Sequence, residues 1–338
     1  MWSLAASFPR QLRDGLKSVP RHEFARRPGV PVAVAGMGGS GIAGELLASL
    51  AAREGDIPLL PVRGSQLPSW VRPPVPLVAV SYSGDTAETL AAFEEAGRRG
   101  VERAVVSSGG RLTALAKKDG LLHVQVPGGQ PPRASLGYLM GALSGVLREA
   151  LPGTVRDLPR ASESLDERAE EFAGEAGRPR AIAKAWGGGR DLWVYAPDAL
   201  SAVARRWKTQ AEENSKVLSH FDTYPELLHN AIVPWEVLAP ERARDRFVVI
   251  LRGNGEGPEA DGRAQYLEHA LREKGVGVET YASPSRGALA ELLDLLWTAD
   301  YVTLWSARLR GVDPVPILGI DRMKRTLSAP PASRAARV

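Results

Sequence analysis

The chain of 338 residues contains no cysteine, which excludes disulfides and any thiolate metal site. Histidine is nearly as scarce. The five present, at 22, 123, 220, 229 and 269, are scattered and offer no zinc-ligand set, so no metal and no cofactor are expected. No apolar run approaches the about 18 to 20 residues of a membrane-spanning helix. The start, "MWSLAASFPRQLRDGLK", has no basic stretch before its brief apolar one and makes a poor secretory signal. Basic residues outnumber acidic ones only 43 to 39, and they are spread over "RRPGV", "GRRGVER" and "ARRWK". Such mixing describes a solvated surface rather than the aromatic-studded basic stripe of a nucleic-acid binder. The expectation is a soluble, cytoplasmic protein with no nucleic-acid or membrane partner.

What is present is alternation. "VPVAVAG" (30–36), "VPLVAVSYSG" (75–84), "RAVVSS" (103–108) and "LLHVQVPGG" (121–129) are short β-rich runs separated by amphipathic helical stretches. That is the pattern of βαβ units in a parallel sheet. A charged stretch from Gly153 to Pro179 reads as an exposed helix or connector. The alternation then resumes with "DLWVYAP" (191–197), "RFVVILRG" (246–253), "VGVETYA" (276–282) and a long helical run from Ala288. The predicted fold class is α/β: two three-layer α/β/α domains with mainly parallel sheets, residues 1–152 and 153–338. The final "APPASRAARV" reads as a frayed tail.

Two strand-to-helix junctions carry chemistry. "GMGGSG" (36–41) lacks the lysine of a nucleoside-triphosphate loop. Its Gly36, Gly38 and Gly41 match a dinucleotide spacing, but the next strand ends in Val62 and Arg63 rather than an acid. "SYSGDT" (81–86) sets Ser81, Ser83 and Thr86 around a second helix start. Backbone N–H groups and the helix dipole favour an anion at such a place. With Gly38, Gly39 and Ser40 of the first loop, these hydroxyls suit one compact phosphate. A Ser83 or Asp85 that merely caps the helix is the alternative.

"GMGGSGIAGELL" followed by "VSYSGDTAETL" resembles the sugar isomerase (SIS) domain. "PPRASLGYLMG" (131–141), "RRWKTQAEENSK" (205–216), "YPELLHNAIVPWE" (224–236) and "RGVDPVPILGIDRMKRTL" (310–327) resemble, in order, motifs of the bifunctional phosphoglucose/phosphomannose isomerases. The resemblance implies interconversion of glucose 6-phosphate or mannose 6-phosphate with fructose 6-phosphate through a shared cis-enediolate. It implies Glu213 as the base that moves the C2 proton, with Glu212 as its ambiguous neighbour. It also implies His229 as the ring-opening acid/base (His220 being a nearby competitor without a motif), Lys324 as an assisting cation and Arg133 as an enediolate stabiliser. Related isomerases are homodimers with shared sites, so His229 is expected to act in the partner's site. Leu228, Ala231, Pro234 and Val315 depart from the family pattern and alter the wall around the sugar, without removing a catalytic group. A non-catalytic sensor of sugar phosphates and an isomerase of another sugar phosphate are the competing readings.

Overall fold

Apolar runs without polar alternation belong to strands covered on both faces. The computed structural model describes residues 1–328 apart from 23, 26, 28, 56, 188, 255 and 256. In it, the two longest apolar runs of the first half are strands buried at every position, β1 (Val32–Gly36) and β3 (Leu77–Ser81). With β2 (Leu59–Val62), β4 (Arg103–Ser107) and β5 (Leu122–Gln125) they form a parallel sheet of order β2-β1-β3-β4-β5. A second parallel sheet contains β6 (Asp191–Pro197), β7 (Ser219–Tyr224), β8 (Arg246–Arg252) and β9 (Gly277–Ala282), in the order β7-β6-β8-β9. Both sheets start inside, step outwards once, and return past the first strand. That reversal opens a crevice at the carboxyl ends of the two strands where it occurs. In the first sheet these are β1 and β3, the strands that carry the two loops singled out above.

Helices α1 (Trp2–Ala6) and α2 (Phe8–Lys17) precede the first sheet, and α3 (Gly38–Glu54), α4 (Ala87–Arg98) and α5 (Gly110–Lys118) connect its strands. The chain then passes through α6 (Leu136–Val146), α7 (Pro152–Glu167), α8 (Ala169–Ala173) and α9 (Arg178–Trp186). In the second half α10 (Ser201–Gln210) follows β6, and the short α11 (Val233–Glu236) and α12 (Pro240–Arg244) follow β7. Last come α13 (Gly257–Glu273), α14 (Ala288–Leu309) and α15 (Leu318–Ser328).

One core serves both halves. A helix that is apolar nearly all round must be interior, and α14 is buried almost throughout. It packs on α7, α9 and α10 from its own half and on α1 and α3 from the first. Two indoles fix it: Trp207 of α10 donates to the Leu295 carbonyl at 3.0 Å, and Trp297 donates to the Ala5 carbonyl at 2.8 Å. The charged stretch from Gly153 begins as the exposed helix its composition suggests, anchored along one face. Helix α7 buries Thr154, Leu158, Ser162 and Leu165 along one face, against α2 and α14, and confines its charges to the other. The tail read as frayed, residues 329–338, lies outside the described residues.

Candidate active site

The first glycine loop is a strand-to-helix turn in which α3 starts directly behind β1. A Cβ on Gly41 would stand 2.6 Å from the Gly36 carbonyl oxygen, so only glycine allows that approach. At Gly39 a Cβ would meet the Pro132 carbonyl oxygen at 3.2 Å and Arg133 Cα at 3.6 Å. The loop therefore admits the Pro132–Ala134 turn, which carries Arg133, against the start of α3.

The serine loop is knit to the first one. Ser40 Oγ accepts the Tyr82 N–H at 2.9 Å, and Ser81 Oγ lies 2.9 Å from Thr86 Oγ1 while accepting the Gly84 N–H at 3.1 Å. Ser40 and Ser81 are buried and Ser83 is exposed, its hydroxyl accepting the Asp85 N–H at 3.3 Å. The structure thus gathers Gly38, Gly39, Ser40, Ser81, Ser83 and Thr86 at one reversal point. Part of the hydroxyl set also braces the turn.

Glu213 arrives from the second half. Helix α10 widens into a π turn over Ala211–Ser215, and the turn ends at Lys216 in the left-handed region (φ 55°). Insertions of this kind re-aim a helix end and concentrate at functional sites. Here the turn brings Glu213 Oε2 to 3.3 Å from a guanidinium nitrogen of Arg133, 80 residues earlier in the chain. Arg133 is only 3% exposed, whereas the Glu213 side chain keeps 28% of its surface. The remaining N–H groups of Arg133 go to Asn214 Oδ1 (3.1 Å) and to the carbonyls of Pro314 (2.7 Å) and Val315 (3.0 Å). Burial pulls the Arg133 guanidinium below the usual arginine value, and the Glu213 carboxylate opposes that pull.

A cleft of about 230 Å³ opens at Glu213, with Arg133 behind its wall rather than in its lining. Gly38 and Gly39 line it on one side, and Arg206, Lys208 and Glu213 on another. At its mouth Glu45 pairs with both Arg63 and Arg205, the latter at 3.3 Å. His229 stands on the turn Glu226–His229 beyond β7, a one-turn 3-10 element, and Lys324 lies on α15; both are exposed and neither lines this cleft. Asn214, the Pro314 and Val315 carbonyls and the Glu45 cluster were not expected from sequence. The clustered acids and bases of "EENSK" and "ARRWK" were the available signal for the charged members.

The reversal loops, the second-half carboxylate and the doubled sheet define a sugar isomerase (SIS) fold. A tagatose-6-phosphate ketose/aldose isomerase from Escherichia coli superposes with a TM-score of 0.65 at 18% identity, covering 93% of this chain and 95% of that one. A family profile described as the bacterial phospho-glucose isomerase C-terminal SIS domain matches residues 177–327. The bifunctional phosphoglucose/phosphomannose isomerase of Aquifex aeolicus is 33% identical over 86% of this chain and 88% of its own. The enzyme of the same name from Thermoplasma acidophilum is 30% identical over 95% and 97%. The chain belongs to the bifunctional phosphoglucose/phosphomannose isomerase family.

Proposed function

We propose that the chain interconverts glucose 6-phosphate and mannose 6-phosphate with fructose 6-phosphate, with Glu213 as the base. The observation that carries this reading is Glu213, 3.3 Å from the buried Arg133 and facing a cleft walled by the first glycine loop. Glucose and mannose 6-phosphates differ at C2 alone. Removal of the C2 proton erases the difference, so one base serves both. Glu213 takes that proton, the electron pair enters a 1,2-enediolate as O1 is protonated and the O2 hydroxyl gives up its proton, and the carbon-bound proton returns at C1 to give the ketose. No redox partner is required. Arg133 is placed to hold the developing oxyanion, since a buried guanidinium stabilises new negative charge more strongly than one in water. The phosphate is assigned to the two loops, where helix N-termini and hydroxyl donors converge.

His229 opens the ring and Lys324 assists, both acting from segments that lie off this cleft in a single chain. Their exposure, with Val233 and Leu318 exposed beside them at 55% and 70%, supports a homodimer in which His229 completes the partner's site. Among the described residues no helix is long and apolar enough to cross a membrane, and the proposed setting is the cytoplasm.

The test is a coupled assay offering each aldose phosphate to pure, chelator-treated protein. Turnover of both is the expected result. Dependence on added zinc would overturn the side-chain mechanism, and binding without turnover would favour a sensor.

A further inference from the structure

Beside the Arg133–Glu213 contact lies a second ion pair to which the proposed chemistry assigns no step, although one member, Arg206, reaches the cleft wall. Arg206 of α10 meets Asp300 of α14 at 3.0 Å, with side chains only 2% and 11% exposed. The Gln210 amide also donates to Asp300 Oδ1. The same Arg206 nitrogen donates to the Arg133 carbonyl at 2.7 Å. Arg133 is thus held from below through its backbone, while its own N–H groups point at Glu213, Asn214 and the Pro314–Val315 carbonyls.

Most other charges around Glu213 are paired. On its own turn Glu212 is bound by Lys208 at 2.6 Å, while Lys216 interacts with Arg133 and with Glu213 itself, and less with Asp313 of the loop after α14. Across the cleft Glu45 holds Arg63 and Arg205. These groups are partly open to solvent, where screening weakens their reach. Arg206–Asp300 is different because it is buried, and a buried pair that loses one member leaves a nearly unscreened charge. Asp300 and Arg206 both act on Arg133 electrostatically, with opposite sign.

We propose that Arg206 and Asp300 are positioning residues for the isomerisation, acting through Arg133: the pair anchors the Arg133 backbone and neutralises itself, leaving the guanidinium to serve Glu213 and the enediolate. This rests on the isomerase reading above.

The test is the pH profile of kcat for single and double variants. Asp300→Asn leaves a buried positive charge beside the site. It is expected to lower kcat about tenfold with KM within about twofold, and to move the rising acid limb about one unit to lower pH. Arg206→Gln removes the cation beside Asp300, a carboxyl that burial already pushes above the usual carboxylate range; where that carboxyl stays ionised its charge moves the limb to higher pH, and where it takes a proton the limb stays in place. The double variant carries neither charge and returns the limb to the wild-type position. Damage to the fold alone does not produce a displacement in Asp300→Asn that the second substitution reverses. An Asp300→Asn limb that stays in place, or an Arg206→Gln limb that moves to lower pH, overturns the proposal. Where neither single variant folds, Arg206→Lys decides. It keeps the charge but cannot serve Asp300 and the Arg133 carbonyl with one fork, so kcat is expected to fall with the limb unmoved. A kcat within about twofold of wild type overturns the positioning role. Wild-type turnover that Glu213→Gln abolishes, with unmoved limbs in the other variants, ends this inference alone. Absence of turnover by the wild type ends the isomerase reading and this inference with it.

Discussion

Ser40 accepts a hydrogen bond at 2.9 Å from the backbone N–H of Tyr82, so one hydroxyl ties the turn after β1 to the turn after β3. Tyr82 in turn accepts the Gln130 N–H on its phenol oxygen at 3.1 Å, which joins the stretch leading to Arg133 to the same point. An accepting hydroxyl still has its proton to give. The two loops are therefore locked together without exhausting their donors.

Loss of Ser83 and Thr86 donors is expected to weaken sugar-phosphate binding. In Ser83→Ala combined with Thr86→Val, two hydroxyl donors are removed, each worth roughly 1.5–3 kcal/mol towards a charged acceptor. KM for either aldose phosphate should rise by at least tenfold. An unchanged KM would leave these hydroxyls as braces of the turn, the role Ser83 already plays towards Asp85.

Glu213→Gln preserves shape and the contact with Arg133 but cannot accept the C2 proton. Turnover should fall by about 10²–10⁴-fold or more, while binding of fructose 6-phosphate, followed calorimetrically, stays near wild type. A variant that keeps more than about a tenth of the rate moves the role to Glu212, which faces Lys208 instead.

Mixing two inactive proteins tests whether sites are shared between subunits. If His229 serves the partner, a heterodimer of Glu213→Gln and His229→Ala chains collects both defects in one site and leaves the other intact. Activity should then reappear after subunit exchange, towards a quarter of wild type for random pairing, since half the dimers each carry one good site. A mixture that exchanges, as seen by mass-tagged subunits, and remains dead places His229 in its own chain's site.

His123 carries a pH signature for stability. Its ring, 3.1 Å from Ser107 Oγ, is partly buried, and burial, then the nearby Lys117 charge, lowers its proton affinity below the ordinary histidine value. The unfolded chain then binds more protons than the folded one once pH falls below about 6.5, so stability is lost as pH falls through and below that point. Thermal melts at pH 7.5 and pH 5.5 should show a smaller acid penalty in His123→Gln than in wild type. Equal penalties would show that other groups dominate the acid response.

The central strands were readable because parallel sheets demand continuous apolar runs, as at Val32–Gly36 and Leu77–Ser81. Strand β7 was not, because "SHFDTY" is a mostly polar edge strand that pairs with β6 alone among the described residues. Helix α7 was legible as an exposed helix, but its buried face was not, because that face includes Thr154 and Ser162, which composition counts as surface. At the site, motif resemblance singled out Glu213 and Arg133, and the structure joins them through a π turn that no periodicity announces. Arg206 and Asp300 stayed hidden because each alone reads as a surface charge; only the crossing of α10 and α14 turns them into a buried pair.

The indole of Trp297 closes on a carbonyl that lies 292 residues upstream. During synthesis the first helix, which carries the accepting carbonyl, therefore emerges long before its indole donor exists, and its apolar face must wait while both sheets are assembled. Closing so long a loop adds little to the final entropy cost, which grows only as the logarithm of length, but it makes the contact late in time. Helix α1 is thus fastened by an element made much later, and the molecule holds a reporter for completed folding in the fluorescence of that one tryptophan's neighbourhood, where Phe172 and Tyr301 already crowd the ring.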